Sequence, residues 1–343
     1  MAYQIIVDNI SREEWERYAA DFADYSIYQT WAYQQVRADM DYCKTSRCIV
    51  KNTNDNIEMM CIVRIKHLKP LGLRIGYVQW GPLMKGRDGD LKCTVNALMQ
   101  LQKVYIGEKI NILRIVPHIY EDGLGRAVSQ MLLSSGFRFV SNVKPYNTMT
   151  LSLENSEENL RKGLHRNWRR NLQKAENAGI EIRQGCENEL FDILERLYLK
   201  ALERKRFKGL NSDQFARTQR MLFEHEKLIV TVAYFDGEPV TALATSNLGD
   251  TGLDILAANN EKGLKCGSSF LTYWNAFEAS RRAGMKRYDL GGIDPKNNPT
   301  VYQFKSRMGG EVQFHIGIFE AYANTVVRKM WTAANTLRSI FKR

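Results

Sequence analysis

Tyr288-Asp289-Leu290-Gly291-Gly292-Ile293-Asp294-Pro295, then Val301-Tyr302-Gln303-Phe304-Lys305, then Gly309-Gly310: this stretch orders the rest of the chain. It predicts a short strand over residues 286–290 that runs into paired glycines. Paired glycines at a strand end let a backbone approach a ligand closely or take dihedrals barred to other residues. A loop follows, then an aromatic-rich segment that carries Lys305. A lysine between Phe304 and Met308 can sit in partly apolar surroundings, where its ammonium is a strong electrostatic tool.

Outward from this strand, Gly284 caps a predicted helix over 268–283. A strand over 252–257 precedes it. Strands over 229–235 and 239–248 are joined by Asp236-Gly237, a tight hairpin signal. Helices are predicted over 156–178, 187–206 and 212–226. The first is opened by Ser156 with Glu157-Glu158 in its first turn and closed by Gly179. The same order of elements occurs earlier. Helices over 15–25 and 27–39 lead to strands over 45–52, 57–68 and 73–79, the last ended by Gly81-Pro82. A helix over 91–108, a strand over 110–116, a helix over 125–135, Gly136 and a strand over 137–140 follow. The repeated order predicts a duplicated α+β unit. The expected class is α+β, with two tandem domains of mixed, largely antiparallel sheets flanked by helices. The first domain is placed at 1–147 and the second at 148–320.

Composition narrows the function. With 44% hydrophobic and 25% charged residues, the chain is ordinary globular protein. No apolar run reaches the ~18 residues that span a bilayer. Asp8, Glu13 and Glu14 fall where a signal peptide would be apolar, so a cytoplasmic protein is expected. The six cysteines show no paired spacing, and the five histidines are scattered. Neither pattern points to a metal site or a disulfide scaffold. Net charge is +11, which suits phosphate-bearing partners: nucleic acid, nucleotide-linked substrates or an anionic membrane face.

The charge is concentrated. Residues 161–174 carry six Lys or Arg and no carboxylate. On a helix, Arg166, Arg169, Arg170 and Lys174 share one face, which can hold a row of phosphates. The alternative is a solvated charged face. Trp168 can stack on a base or pack inward. A second cluster runs from Arg204 to Lys208, where a helix C-terminus favours positive charge by its dipole alone. Residues 321–343 contain no acid. Val327, Met330, Trp331, Ala334, Leu337 and Phe341 recur there at helical spacing, with Arg328, Lys329, Arg338, Lys342 and Arg343 beside them. Two readings stay open for this segment. It is either an amphipathic helix on the inner face of a membrane or a terminal helix packed on the first domain.

These residues resemble a known family. Trp168 to Glu176 with Gly179-Ile180-Glu181-Ile182 is similar to a signature of the Fem aminoacyltransferases. Tyr288 to Asp294 followed by Val301 to Lys305 resembles that family's C-terminal motif. Gln29-Thr30-Trp31 and Tyr77-Val78-Gln79-Trp80-Gly81-Pro82-Leu83 resemble its N-terminal markers. The resemblance implies two tandem acetyltransferase-like (GNAT) domains. It implies transfer of an amino acid from aminoacyl-tRNA to an amino group of a peptidoglycan precursor, lipid- or nucleotide-linked, with no further cofactor. By the same resemblance Lys305 stabilises the tetrahedral transition state and Phe304 borders the ester. Arg37 and Arg204 fall near positions that hold substrate phosphates. Tyr302, Asp294, Gly291 and Gly292 belong to the motif that lines the substrate. The chain departs from the pattern at Val116, where family members often have an acid before the proline. A carboxylate base at that position is excluded.

Amine attack on an aminoacyl ester needs a neutral amine, an oriented ester and a home for the oxyanion. Lys305 suits the last. One alternative is an acyl-CoA-dependent N-acyltransferase of exopolysaccharide or envelope synthesis. It would need a glycine-rich turn to cradle a pyrophosphate, and Leu264-Lys265-Cys266-Gly267-Ser268-Ser269 is only a partial match. Another is a nucleic-acid-binding module without catalysis, which explains the charge but not the Gly-Gly and lysine constellation.

Overall fold

The structure is a computed structural model whose described residues are 3–84, 91–205 and 209–340. The first half of the chain forms β1 (Gln4–Val7), α1 (Arg12–Ala19), α2 (Trp31–Asp41), β2 (Lys44–Lys51), β3 (Ile57–Leu68), β4 (Leu73–Gln79), β5 (Leu83–Met84), α3 (Leu91–Tyr105), β6 (Ile112–Val116), α4 (Gly123–Ser134) and β7 (Arg138–Phe139). The second half forms β8 (Asn147–Ser152), α5 (Glu157–Gly163), α6 (Arg166–Glu176), β9 (Glu181–Gly185), α7 (Asn188–Lys205), α8 (Ser212–Met221), β10 (Ile229–Phe235), β11 (Glu238–Leu248), β12 (Thr251–Asn259), α9 (Glu261–Cys266), α10 (Ser268–Arg282), β13 (Arg287–Asp289), α11 (Pro299–Ser306) and β14 (Glu311–Phe314). The chain closes with β15 (Phe319–Tyr322) and α12 (Thr325–Ile340). Local chemistry sets several starts. Ser11 and Glu14 cap α1 reciprocally, and Ser156 accepts from the Asn159 amide at the head of α5.

Two sheets result, and they share one plan. The first runs β1-β2-β3-β4-β6-β15-β7, with β5 paired to β3; the second runs β14-β8-β13-β12-β11-β10-β9. Each has four antiparallel strands in a row, then one parallel pair: β4 with β6, and β12 with β13. A parallel pair needs a crossover, and helices supply it: α3 in the first sheet, α9 and α10 in the second. The α+β class and the duplicated plan expected from sequence are both present.

The compact units are Met1–Phe22, Gln34–Tyr146 and Phe314–Arg343 for the first, and Ala23–Tyr33 and Asn147–Gln313 for the second. Sequence reading ended the second domain at residue 320. The strand β15 instead pairs antiparallel with β6 and β7 of the first sheet. The first sheet is therefore completed by a strand from outside its own consecutive run, whereas the second is built from β8 to β14, with β8 pairing with β13. The segment Ala23–Tyr33 joins the second unit through the Asp250 amide, which donates to the Ala23 carbonyl at 3.0 Å.

The terminal helix α12 packs on the first unit. Val327 and Trp331 meet Leu73 and Ile112, and the Trp331 indole N–H donates to Glu320. Met330, placed on the same apolar stripe by its spacing, is 40% exposed. Packing on the body thus accounts for Trp331 and Val327 but not for Met330. The side chains of Leu337, Arg338, Phe341, Lys342 and Arg343 lie outside the described residues.

The helix expected over 156–178 is two helices. Leu164 interrupts it with extended backbone, φ −64° and ψ 139°. The helix α5 buries no residue, whereas α6 buries Trp168, Leu172 and Ala175. One straight rod could not serve both faces. The break lets Leu164 enter the core with Trp168 and Leu172 and turns the α6 stripe inward. His165 restarts the helix: its Nδ1 accepts from the Asn167 amide, and its own N–H donates to the Arg307 carbonyl. Gly309 seats the break from outside at φ +83°, where a Cβ would lie 2.6 Å from the Gly163 carbonyl oxygen.

Gly309→Ala should therefore destabilise the chain by about 2 kcal/mol or more, from left-handed strain plus a backbone collision. Urea unfolding checks this; an unchanged midpoint would mean that the Gly163 break is not held from Gly309.

Candidate active site

The parallel pair β12 and β13 is short. It pairs Thr251 with Arg287, Gly252 with Tyr288 and Leu253 with Asp289, and then ends. On the other side of β12 the register slips: Thr245 faces Asp254 and Ala244 faces Leu256, which leaves Ile255 as an extra residue. A bulge of this kind bends the strand and re-aims its side chains. The two strands separate at Asp254 on one side and Leu290 on the other, and the paired glycines sit at this parting.

Asp289 organises the turn. It is wholly buried, and its Oδ1 accepts from the Gly291 amide at 2.8 Å and from the Thr148 hydroxyl. Thr148 is on β8, and its hydroxyl also reaches the Gly291 carbonyl at 2.9 Å. Gly291 is held at φ +73°, a left-handed conformation that favours glycine. The next carbonyl, Gly292, accepts a hydrogen bond from Lys305 Nζ at 3.0 Å.

Lys305 comes from α11, a helix that sequence reading left as an unassigned aromatic segment. Pro299 begins it, where a missing N–H costs nothing. Phe304 seats it against Trp168, Phe270 and Tyr273, with ring centroids 5.3–6.0 Å away. Lys305 is 8% exposed. Burial pushes its ammonium below the ordinary lysine range, while Asp254 and then Asp289 pull it back up.

Asp254 and this lysine both border the side-chain position of Gly291. A Cβ built at Gly291 would lie 3.5 Å from Asp254 Cβ and 3.6 Å from Lys305 Nζ, so both flank one methyl-sized space. Asp254 Oδ1 accepts from the Tyr288 hydroxyl at 2.5 Å, and Oδ2 is buried outside hydrogen-bond geometry. Burial raises this carboxyl to about 7, against the pull of Lys305 and Tyr288. Burial, then Asp254, pushes the Tyr273 and Tyr288 phenols well above their usual value, so both stay hydroxyls.

Other residues singled out from sequence are placed as follows. Gly291, Gly292, Phe304 and Lys305 converge. Tyr302 is half-buried on α11. The Asp294 carboxylate is engaged by its own turn, accepting from the Lys296 and Asn297 amides and the Asn297 side chain. Arg204 donates to the Asn259 carbonyl at the far end of β12. Arg37 pairs with Asp41 at 3.0 Å within the first unit. Arg206, Phe207 and Lys208 lie outside the described residues. Arg166, Arg169, Arg170 and Lys174 are all exposed on α6, while Trp168 of the same helix is buried. Trp168 therefore packs inward rather than offering a stacking face.

Sequence reading passed over Asp254, Tyr273 and Thr148. Asp254 had a signal: it is the one charge in the apolar run Gly252-Leu253-Asp254-Ile255-Leu256-Ala257-Ala258. It also passed over a convergence in the first unit. There the parallel pair ends at Gln79 and Val116, and the residues beyond are Trp80 and, after Pro117, His118. Their rings stack at 4.1 Å, and His315 lies 5.0 Å from His118. The equivalent strand ends thus carry aromatic rings in one unit and a glycine turn with a lysine in the other.

A model of the FemAB family matches residues 133–245 and 252–336, which include the basic helix, the bulged strand and Lys305. The chain belongs to the FemAB family. A crystal structure of FemX, 14% identical, is similar over 96% of this FemAB chain and 99% of its own, with a TM-score of 0.83. The C-terminal domain of a putative lysylphosphatidylglycerol synthetase from Agrobacterium fabrum, also 14% identical, covers 95% and 98% with a TM-score of 0.56. A tandem GNAT protein from the clavulanic acid biosynthesis pathway, 12% identical, covers 94% and 99% at 0.51. At these identities the likeness is one of fold: the FemAB chain has the tandem GNAT-like architecture. No curated protein matches it in sequence.

Gly291→Ala should cost about 1–2 kcal/mol from the left-handed backbone alone. It would also set a methyl 3.3 Å from the Asp254 carbonyl oxygen, between Asp254 and Lys305. Chemical denaturation measures the cost, and a variant as stable as the parent would show that this turn is not held at positive φ.

Proposed function

We propose that this FemAB protein transfers an amino acid from aminoacyl-tRNA to an amino group of a peptidoglycan precursor. Family membership supports the coarser statement, a transferase of peptidoglycan-related chemistry. The observation that carries the finer one is Lys305: a buried ammonium, fixed by Gly292, at the parting of the parallel strands.

In the reaction the neutral amine attacks the ester carbonyl carbon. The new N–C bond forms, the C–O bond to ribose breaks, and the proton lost by nitrogen ends on the ribose oxygen. Negative charge builds on the carbonyl oxygen in between. A fixed cation in a water-poor site stabilises that charge without reorganising, an effect on the order of 3 kcal/mol. Lys305 takes that role, and Phe304 in its aromatic seat holds α11 so that the ammonium stays placed.

The donor reading rests on α6. Its inner residue Trp168 packs on Phe304, next to Lys305, while Arg166, Arg169, Arg170 and Lys174 face outward. One helix thus links the reaction centre to a cationic surface suited to a tRNA backbone. An acyl-CoA donor fits less well. The segment Leu264 to Ser269, which runs into α10, is only a partial match to a glycine-rich pyrophosphate cradle. The Ser268 hydroxyl bonds Thr241 at 2.6 Å and the Gly263 carbonyl at 3.1 Å. Among the described residues no helix is long and apolar enough to cross a membrane.

Lys305→Ala should lower kcat at least ~100-fold with an unchanged circular dichroism spectrum. Product formation from charged tRNA checks this, and half of the parent turnover would sink the assignment.

Neutralising Arg166, Arg169, Arg170 and Lys174 together should weaken tRNA binding and flatten its dependence on salt, because fewer counterions are released. An unchanged slope of log affinity against log salt would remove α6 as the phosphate track.

A further inference from the structure

The proposed reaction needs Lys305 to be charged, and the fold opposes this by burying it. Something must return the charge. The Gly292 carbonyl contributes one dipole at 3.0 Å. Asp289 is the second acid near Lys305, and its pull on the lysine is the smaller of the two. Asp254 exerts the larger pull and borders the same side-chain position as the lysine nitrogen. It stands at the bulge of β12, its Oδ1 held by Tyr288 and its Oδ2 buried outside hydrogen-bond geometry. Its Cβ and the lysine nitrogen both border the Cβ position of Gly291, at 3.5 and 3.6 Å.

We propose that Asp254 is the positioning residue for Lys305: the counter-charge that keeps its amine protonated in the closed site. This rests on the transfer reading above for its purpose, but the pair itself can be measured without that reaction. Asp254 does not touch substrate in this assignment; it acts through Lys305.

The groups around the pair are few. Asp254 meets Lys305 from α11, Tyr288 and Asp289 from β13, and Tyr273 from α10. Both tyrosines stay neutral, since burial raises them. The sign follows. Below about pH 7 Asp254 is itself protonated and contributes no charge. Above that pH the carboxylate forms and opposes the loss of charge that burial favours in the lysine. Each group thus favours the charged form of the other, and the two titrate as a pair.

The test uses the full chain with 13C-labelled lysine, the Lys305 signal being assigned by its loss in Lys305→Arg. In Asp254→Asn, which preserves shape and can still accept from Tyr288, Lys305 should deprotonate at a pH lower by about one unit or more. Asp254→Glu should restore part of the shift. The reciprocal variant Lys305→Met does not depend on the folding of Asp254→Asn. With 13C-labelled aspartate it should raise the pH at which Asp254 ionises. If neither titration moves, the pair is not coupled and the proposal falls. In a transfer assay, Asp254→Asn should move the alkaline limb of the kcat/KM profile to lower pH; a uniform drop with no moved limb would assign Asp254 a merely structural role. Absent transfer with shifted titrations would keep the pair and overturn the reaction.

Discussion

One buried carboxylate, Asp289, holds the second unit's centre together. Its Oδ1 accepts from the Gly291 amide and the Thr148 hydroxyl, so it ties the end of β13 to β8 and fixes the turn beyond. A buried carboxylate without partners would cost several kcal/mol, so these donors are a condition of its presence. Once the turn is fixed, Gly291 must be left-handed, the Gly292 carbonyl points at Lys305, and space opens between Lys305 and Asp254. The position of β8 is thus part of the site. It lies between β13 and β14 in the second sheet, and without Thr148 the carboxylate would lose a donor.

The same centre shows how a lysine is kept buried. Removing an ammonium from water is expensive, and the offsetting terms are a carbonyl at 3.0 Å and two acids whose fields reach it. Packing supplies the rest. Phe304 precedes Lys305 and sits among Trp168, Phe270 and Tyr273, so the helix that carries the charge cannot turn away without emptying an aromatic cluster. The alternation Phe304-Lys305 therefore places a greasy anchor and a cation on adjacent faces of one short helix. That explains why the lysine is buried although every neighbour in sequence from Gln303 to Arg307 except Phe304 is polar or charged.

Much of this was legible in sequence because it is local. The strands Ile57–Leu68 and Leu73–Gln79 match their expected bounds, since alternation and flanking turn residues mark both ends. The Gly291-Gly292 turn and the unusual setting of Lys305 were visible from composition alone. The break at Leu164 was not, because residues 156–178 keep helical spacing throughout; only the core reveals that α5 and α6 bury different faces. The placement of β8 and β15 was also hidden, since strand pairing depends on contacts far apart in the chain. Asp254 was the instructive omission. A lone acid in an apolar strand must find a partner or stay protonated, and its partner, Lys305, lies on an element whose helical nature was itself unread.

The duplicated plan sharpens the role of the site. Both sheets have one parallel pair, and in both the strand ends open at the same topological point. In the second unit β13 is followed by Leu290 and then the two glycines, and the Gly292 carbonyl accepts from Lys305. In the first unit Trp80 and His118 stack there, with His315 and Tyr146 around them. Ring stacks bury apolar area, whereas the glycine turn brings a backbone carbonyl and a lysine ammonium together. The chain therefore has two copies of one architecture with different residues at the strand ends. The proposed chemistry uses the second copy, where a fixed cation meets a fixed carbonyl. The first unit's end carries Val116, Trp80 and His118, and the acids beside the lysine are contributed by the second unit.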